Sequence, residues 1–454
     1  MDHDESRDLL NLAASVVERA LRAGANVAEA SARGGSELST RVRLGKPELV
    51  EEAGHHSISL RVIRADRVAL TSTSDLSPRG IERCVADALM LAELSEPDPF
   101  AGPADVQLLA KPPFPELDLF DAGLFEIDAA RAIEQATRAE QAAFDFDPRI
   151  QLSEGATFSR TNSTSALVLS SGFQAAVRGS YAALTVAPVV EDAGGKKRRG
   201  HYWTASRHQS ELEDPLFVGQ EAARRTLAKL NPRKVPTQET AVIFDAEVSR
   251  SIIGAFLGCI VGGSVWRKSS YLMDREGSVV ASPGVTLIDD PLIPRAPGSR
   301  AFDGEGLPAR KNVVVEAGVL KTFLLDSYSA RKLERASTGS AARSGGSISA
   351  STSNLIMQPG PMTREELIAS TPSGLYVTEM MGFGFNAMTS DFSRGAAGFW
   401  IEDGKFAFPV SEVTISATLD AMLQGIDGIA SDLRLITSTA SPTFRTARMT
   451  LSGS

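Results

Sequence analysis

The chain's capacity for chemistry is spread thinly. His201 and His208 flank Tyr202-Trp203 with Asp214 nearby, a grouping that could offer a metal ion two nitrogens and an oxygen. The other histidines, His3, His55 and His56, come earlier, and none follows His208. Ser329 and Ser393 therefore lack a nearby histidine base in their part of the sequence. Asp289, Asp290, Asp303 and Glu305 could bind calcium or work as an acid–base pair. Asp-Asp-Pro and Asp-Gly-Glu-Gly are also turn sequences, so we read them as structural, with loop ordering near a cleft as the second reading. Gly382-Phe383-Gly384-Phe385-Asn386 lacks the lysine and the strand–loop–helix setting of a phosphate loop. Its glycines suit close approach of backbone to a peptide or a partner. Asp391 and Arg394 could pair across a tight turn, as structure or as a substrate contact. Lys196-Lys197-Arg198-Arg199 reads as a solvated loop. Cys84 and Cys259 sit in apolar helical patterns, and we read Cys259 as an inert packed thiol rather than a relic ligand.

Composition narrows the classes. A chain of 454 residues holds two or three domains at roughly 150 residues each. Its net charge of −9 gives no global attraction to nucleic acid. Two cysteines make no disulfide framework and suit a reducing cytoplasm. The acidic start Met1-Asp2-His3-Asp4-Glu5-Ser6 does not resemble a secretory signal. The longest apolar run, Ile252–Gly263, is glycine-rich and shorter than the roughly 20 residues that span a bilayer. It predicts a buried helix, and no membrane association is expected.

The elements that position these residues follow from periodicity. Leu9, Leu10, Ala13, Val16, Val17, Ala20 and Leu21 mark one helical face that ends at Gly24. Strand alternation follows at Ile58–Val62 and Val68–Leu70, and Ser77-Pro78 starts a second helix. Six prolines within 96–117 predict a linker. A helix over about Leu124–Phe144 precedes strands near Ile150–Phe158, Ala166–Leu169 and Ala182–Val189, an exposed loop over Asp192–Arg199 and a helix over about Pro215–Leu230. After a second linker at Asn231–Pro236 come a strand at Ala241–Phe244 and a helix capped by Asp245. Short strands follow at Val313–Val315, Val319–Leu325, Leu375–Met380, Gly398–Ile401 and Val413–Ile415, with a hairpin turn at Glu402-Asp403-Gly404-Lys405. The expected fold is α+β: an N-terminal domain over 1–107, a middle α+β domain over 118–231, and a mainly antiparallel β-rich domain with helices over 237–454.

From about Thr237 to Gly453 several motifs stand in a familiar order. They include Ser269-Ser270-Tyr271-Leu272, Ile288-Asp289-Asp290-Pro291, Phe302-Asp303-Gly304-Glu305-Gly306 and Leu325 through Lys332. Thr378 through Asn386, Asp391 through Trp400, and Glu412-Val413-Thr414-Ile415 complete the set. Together they resemble the TldD/PmbA family, also called the modulator of DNA gyrase family. Tyr328-Ser329-Ala330-Arg331-Lys332 and Asp391–Gly398 point to its PmbA (TldE) branch. In the TldD branch a His-Glu-x-x-x-His helix and a later cysteine hold a metal, and the glutamate is the expected base. The match sets Gly254, Ala255 and Cys259 against those helix positions, and Leu435–Pro442 contains no cysteine. One buried thiol cannot hold a zinc ion, which needs several ligands and an open position.

The resemblance thus implies a non-catalytic subunit with no metal of its own. Its TldD-like partner would carry a divalent metal, expected to be zinc, for cytoplasmic proteolysis and peptide processing. Peptides or unfolded proteins are the expected substrates, a dimer is the expected assembly, and neither nucleic acid nor membrane is expected as a partner. Gly384, Asn386, Asp391 and Arg394 are the candidate substrate-binding residues, and sheet edges could add a peptide strand. Two other classes stay open: a homodimeric peptide-binding or scaffold protein without protease activity, and an independent hydrolase built on His201 and His208.

Overall fold

A computed structural model describes residues 2–453, with side chains from Glu5 onward, so the acidic start with His3 lies mostly outside the described side chains. Helix α1 (Asp2–Arg22) precedes three long antiparallel strands, β1 (Val27–Arg43), β2 (Lys46–Arg64) and β3 (Arg67–Thr73). Helix α2 (Pro78–Leu94) follows, with the Ser77 side chain accepting from the Gly80 amide as expected of the cap. Beyond the linker, α3 (Ala129–Phe146) leads into β4 (Ile150–Leu169), β5 (Gln174–Glu191), β6 (Lys197–Arg199), β7 (Tyr202–Ser206) and α4 (Pro215–Leu227).

These strands form one seven-stranded sheet, because β1 pairs with β4 along almost its whole length. The two N-terminal segments therefore share a continuous backbone ladder. Ala28, Ala30 and Ala32 pack under α1 and α2, while Leu38 packs under α3 and α4. All four are even-numbered, so both helix pairs cover the same face. The helices α3 and α4 approach closely enough that a Cβ on Gly219 would lie 2.1 Å from the Ala139 carbonyl.

Several local expectations change. The strands expected at 150–158 and 166–169 are one strand, and the strand expected at 182–189 begins at Gln174. The helix expected from Leu124 begins at Ala129, after a 3-10 turn, where Asp128 caps it. Asp192–Arg199 is not a free loop: Asp192 is buried and takes Arg198 at 2.7 Å, and Lys197–Arg199 pair with β5. Of Val319–Leu325 only Val319–Leu320 form a strand.

The rest of the chain is a mixed body built around α5 (Ala246–Ile260), which follows β8 (Gln238–Phe244). A six-stranded sheet runs in the order Lys405–Thr418, Asp391–Glu402, Ser373–Met381, β8, Phe444–Ser452, Ile426–Ile429. Lys405–Thr418 also pairs with Phe444–Ser452, closing five strands on themselves. That closure removes most of the edge to which a peptide strand could add. Phe244, Phe256, Leu375 and Phe444 fill one core with residues of a second, five-stranded sheet such as Leu287 and Leu355. The hairpin at 402–405 is present, with Asp403 at φ 48° and Gly404 at φ 73°.

The body and the long sheet are clasped by arginines. Arg331, on α7 (Ser327–Lys332; α6, Gly262–Trp266, precedes it), donates to the carbonyls of Phe100, Gly102 and Pro103 in the linker. Tyr328 donates to Asp98 at 2.7 Å. The Tyr328–Lys332 motif is thereby a clamp on the proline-rich segment, and Ser329 is buried in the capping box of α7. Arg207 does the same elsewhere, donating to the carbonyls of Ala296 and Pro297.

The acidic stretch is structural, as expected. Asp289 accepts from the amide and hydroxyl of Ser353, Asp303 from the amides of Glu305, Leu307 and Ala341, and Glu305 from the amide of Ser327. Burial pushes the Glu305 carboxyl up to about 7 from 4.5. Between those values the folded chain keeps a proton that the unfolded chain has lost. Stability from this group therefore falls as pH rises from 4.5 to about 7 and is level outside that window. Glu305→Gln keeps the acceptor for Ser327, and denaturation midpoints of the variant across that range are expected to show a flatter pH profile than the parent.

Candidate functional site

The geometry centres on α5. Its N-cap Asp245 accepts from the Glu247 amide at 3.0 Å. One side of the helix, including Ile252, Ile253, Phe256, Cys259 and Ile260, is buried. The opposite stripe, at i, i+3, i+4, i+7, i+8 and i+11, is Glu247, Arg250, Ser251, Gly254, Ala255 and Gly258. A Cβ added at Gly254 or Gly258 meets no atom within 4 Å, so open space lies above the helix there.

The three positions singled out by the resemblance do not share this face. Gly254 lies on the open stripe, Ala255 is half-buried at its edge and packs against the core, and Cys259 is fully buried, its thiol 3.6 Å from the Ala255 carbonyl. Burial pushes that thiol up to about 11, which disfavours the thiolate a metal needs. The Leu435–Pro442 segment, which the resemblance sets against the later cysteine, does pack against α5. Arg250 reaches the Thr437 hydroxyl at 3.5 Å, and Ser249 donates to the Pro442 carbonyl. The place is thus assembled, but Gly254 and Ala255 offer no donor side chain and Thr437 only a hydroxyl. These residues do not fit a metal ion. Among the described residues no group of three or more His, Cys, Asp or Glu side chains converges for one elsewhere.

Arg394 stands over the open stripe, its Nη1 3.4 Å from the Ser251 hydroxyl. Its Nε is buried without a hydrogen-bond partner, and it has no carboxylate partner among the described residues. The expected pairing with Asp391 is absent. Residues three apart on the Asp391–Glu402 strand point to opposite faces, so Arg394 shares the face of buried Phe392 and Ala396 while Asp391 is exposed. Asp391 instead accepts from the Thr389 hydroxyl at 2.5 Å. Gly384 and Asn386 shape the loop before that strand. Ser393 donates to the Gly384 carbonyl and the Asn386 amide to the Asp391 carbonyl. A Cβ at Gly384 would lie 1.6 Å from the Ser393 carbonyl, so this close approach requires glycine. Phe383 at the loop tip is 103% exposed, with Met381 and Met388 exposed beside it.

The histidines do not converge. His208 Nε2 lies 3.0 Å from the Asp118 carbonyl. His201 lines a cavity of about 210 Å³ with Arg225, Lys229, Glu247 and Glu379, where burial lowers its pKa and favours the neutral ring. Sequence reasoning missed this cavity. Of its lining it marked His201, as a possible metal ligand with His208, the Asp245 cap and the Thr378-Glu379 and Asp391–Trp400 motifs, and it did not bring them together.

The PmbA/TldA metallopeptidase C-terminal domain matches residues 237–453, the central domain 123–230 and domain 1 residues 28–92. The chain belongs to the PmbA/TldD metallopeptidase family. It is 38% identical to "Metalloprotease PmbA" of Escherichia coli O157:H7 over 410 residues, 90% of this chain and 88% of that protein. To the "Metalloprotease PmbA homolog" of Haemophilus influenzae it is 36% identical, covering 94% of this chain and 92% of that one. The "Metalloprotease TldD homolog" of the same organism is 26% identical over 265 residues, 56% of this chain and 55% of that protein. A solved Bacteroides thetaiotaomicron structure, provisionally described as a modulator of DNA gyrase, superposes with a TM-score of 0.92 at 25% identity over the full length of both chains. The family name implies metal chemistry, and the α5 stripe of this chain lacks the side chains for it.

Proposed function

We propose that this chain is a non-catalytic PmbA/TldE-type subunit of a heteromeric peptidase working in cytoplasmic proteolysis and peptide processing. In this reading a TldD-like partner supplies the divalent metal, zinc, and the base, while this chain forms one wall of the peptide site. The observation that carries it is the outer stripe of α5: Ser251, Gly254, Ala255 and Gly258 leave a floor without ligands, overhung by Arg394, which has no carboxylate partner among the described residues. A small-residue floor under a guanidinium suits an extended peptide, whose carbonyls and carboxylates accept from arginine. Arg394 contacts the peptide directly, and Gly384, Asn386 and Asp391 hold the loop beside it. The exposed Phe383 loop is where we place the partner, since large apolar side chains at full exposure mark contact surfaces.

Two replacements at one position test this. Gly254→Ala fills open space in a helix interior and is expected to stabilise the chain by about 0.5–1 kcal/mol with peptidase activity of the mixed complex unchanged. Gly254→Trp is expected to leave the fold intact while lowering that activity by roughly 100-fold, by displacing the peptide. Full activity with tryptophan at 254 would remove the peptide from this face.

A further inference from the structure

The cavity beside the start of α5 lies between α4 and the Ser373–Met381, Asp391–Glu402 and Lys405–Thr418 strands. One wall is aromatic. The Phe406 ring stands edge-on to Tyr376 at 5.1 Å between centroids and against Phe399, also at 5.1 Å. Next to that wall is the Asp245 carboxylate, which accepts from the Tyr376 hydroxyl at 2.7 Å and from the Glu247 amide. Both bonds hold it in place, yet it has no ion pair among the described residues, whereas Glu247 and Glu379 in the same cavity are each paired. Arg364 also lines the cavity. Its Nε and Nη2 bond Glu365, and its Nη1 has no hydrogen bond among the described residues. A carboxylate held by two hydrogen bonds, with the Arg364 charge acting on it from beyond ion-pair distance, an aromatic wall and a free guanidinium N–H have one common complement. That complement is an ammonium group beside an apolar side chain, followed by a carbonyl or carboxylate.

We propose that this cavity binds the α-ammonium end of an apolar or aromatic amino acid, either free or as the first residue of a short peptide. The ammonium sits at Asp245, the side chain against Phe399 and Phe406, and the first carbonyl or carboxylate at Arg364. The site is a property of this chain alone and stands apart from the subunit reading.

Isothermal titration of the full chain with L-phenylalanine, Phe-Gly-Gly and N-acetyl-L-phenylalanine tests it. Saturable binding of one or both of the first two is expected, and the tighter one identifies the source. N-acetylation, which removes the positive charge, is expected to weaken binding at least about tenfold. Asp245→Asn retains a residue that caps helices and is expected to cause the same loss. Phe406→Ala, at a half-exposed position, is expected to weaken L-phenylalanine more than L-alanine. Absence of saturable binding to both free-amine ligands overturns the proposal. So does binding that is indifferent to N-acetylation and to both substitutions.

Discussion

Glu29→Gln is expected to lower the stability of the chain by about 3–5 kcal/mol, the usual cost of stranding buried charge. Glu29 lies in β1 with its side chain 4% exposed, where Oε1 takes Arg61 Nη1 at 2.8 Å and Oε2 takes Arg343 Nη2 at 2.6 Å. Arg343 comes from the Ala341–Ser344 strand of the C-terminal body and is itself 5% exposed, so this triad bolts the body to the long sheet. Glutamine would leave two buried guanidinium groups without a counter-charge, and Arg343 Nη1 already lacks a partner. Urea denaturation of parent and variant reads the loss. Replacing Glu29 and Arg343 together with leucine and methionine is expected to recover part of it, because apolar packing often substitutes for a buried pair. A loss below about 1 kcal/mol for Glu29→Gln would mean that the triad is open to water.

Arg394→Ala is expected to raise KM of the mixed complex for peptide by about tenfold, equivalent to about 1.4 kcal/mol, with kcat within about twofold. Among the described residues the guanidinium is in no ion pair, so its removal should leave the melting temperature close to that of the parent. Arg394→Lys is expected to fall between the two, since an ammonium keeps the charge and loses the planar fork. Steady-state kinetics separate the outcomes. An unchanged KM would take Arg394 out of the peptide site, and a fall in kcat alone would place it nearer the reacting atoms.

The parts of this fold that were legible in the sequence are those with strong local signals. Ser77 and Asp245 cap helices where they were expected to, and Asp403-Gly404 makes the hairpin turn. The apolar face of α5 was visible in its spacing. Strand β1 escaped notice because Ala-Arg-Gly-Gly-Ser-Glu-Leu-Ser-Thr has weak strand preference, and its order comes from pairing with β2 and β4 on both sides. That same pairing merges the two N-terminal segments into one sheet, which no local pattern announces. Asp391 and Arg394 looked like partners by their nearness in sequence, and only their place on one strand shows that they face apart. The cavity is assembled from α4, α5 and three strands far apart in the chain, so its aromatic wall and lone carboxylate carry no shared sequence signal. The resemblance located the degenerate helix, and the structure shows Gly254 on its open side, Ala255 at the edge of the core and Cys259 within it.

The most direct test of the subunit reading is metal content and peptidase activity of the purified chain, alone and then mixed with a TldD-like subunit. The expected result is a lone chain without stoichiometric metal or activity, and a stable mixed complex that cleaves peptides. A lone chain that holds a metal ion and cleaves peptides would contradict it, and would place the chemistry away from the α5 stripe.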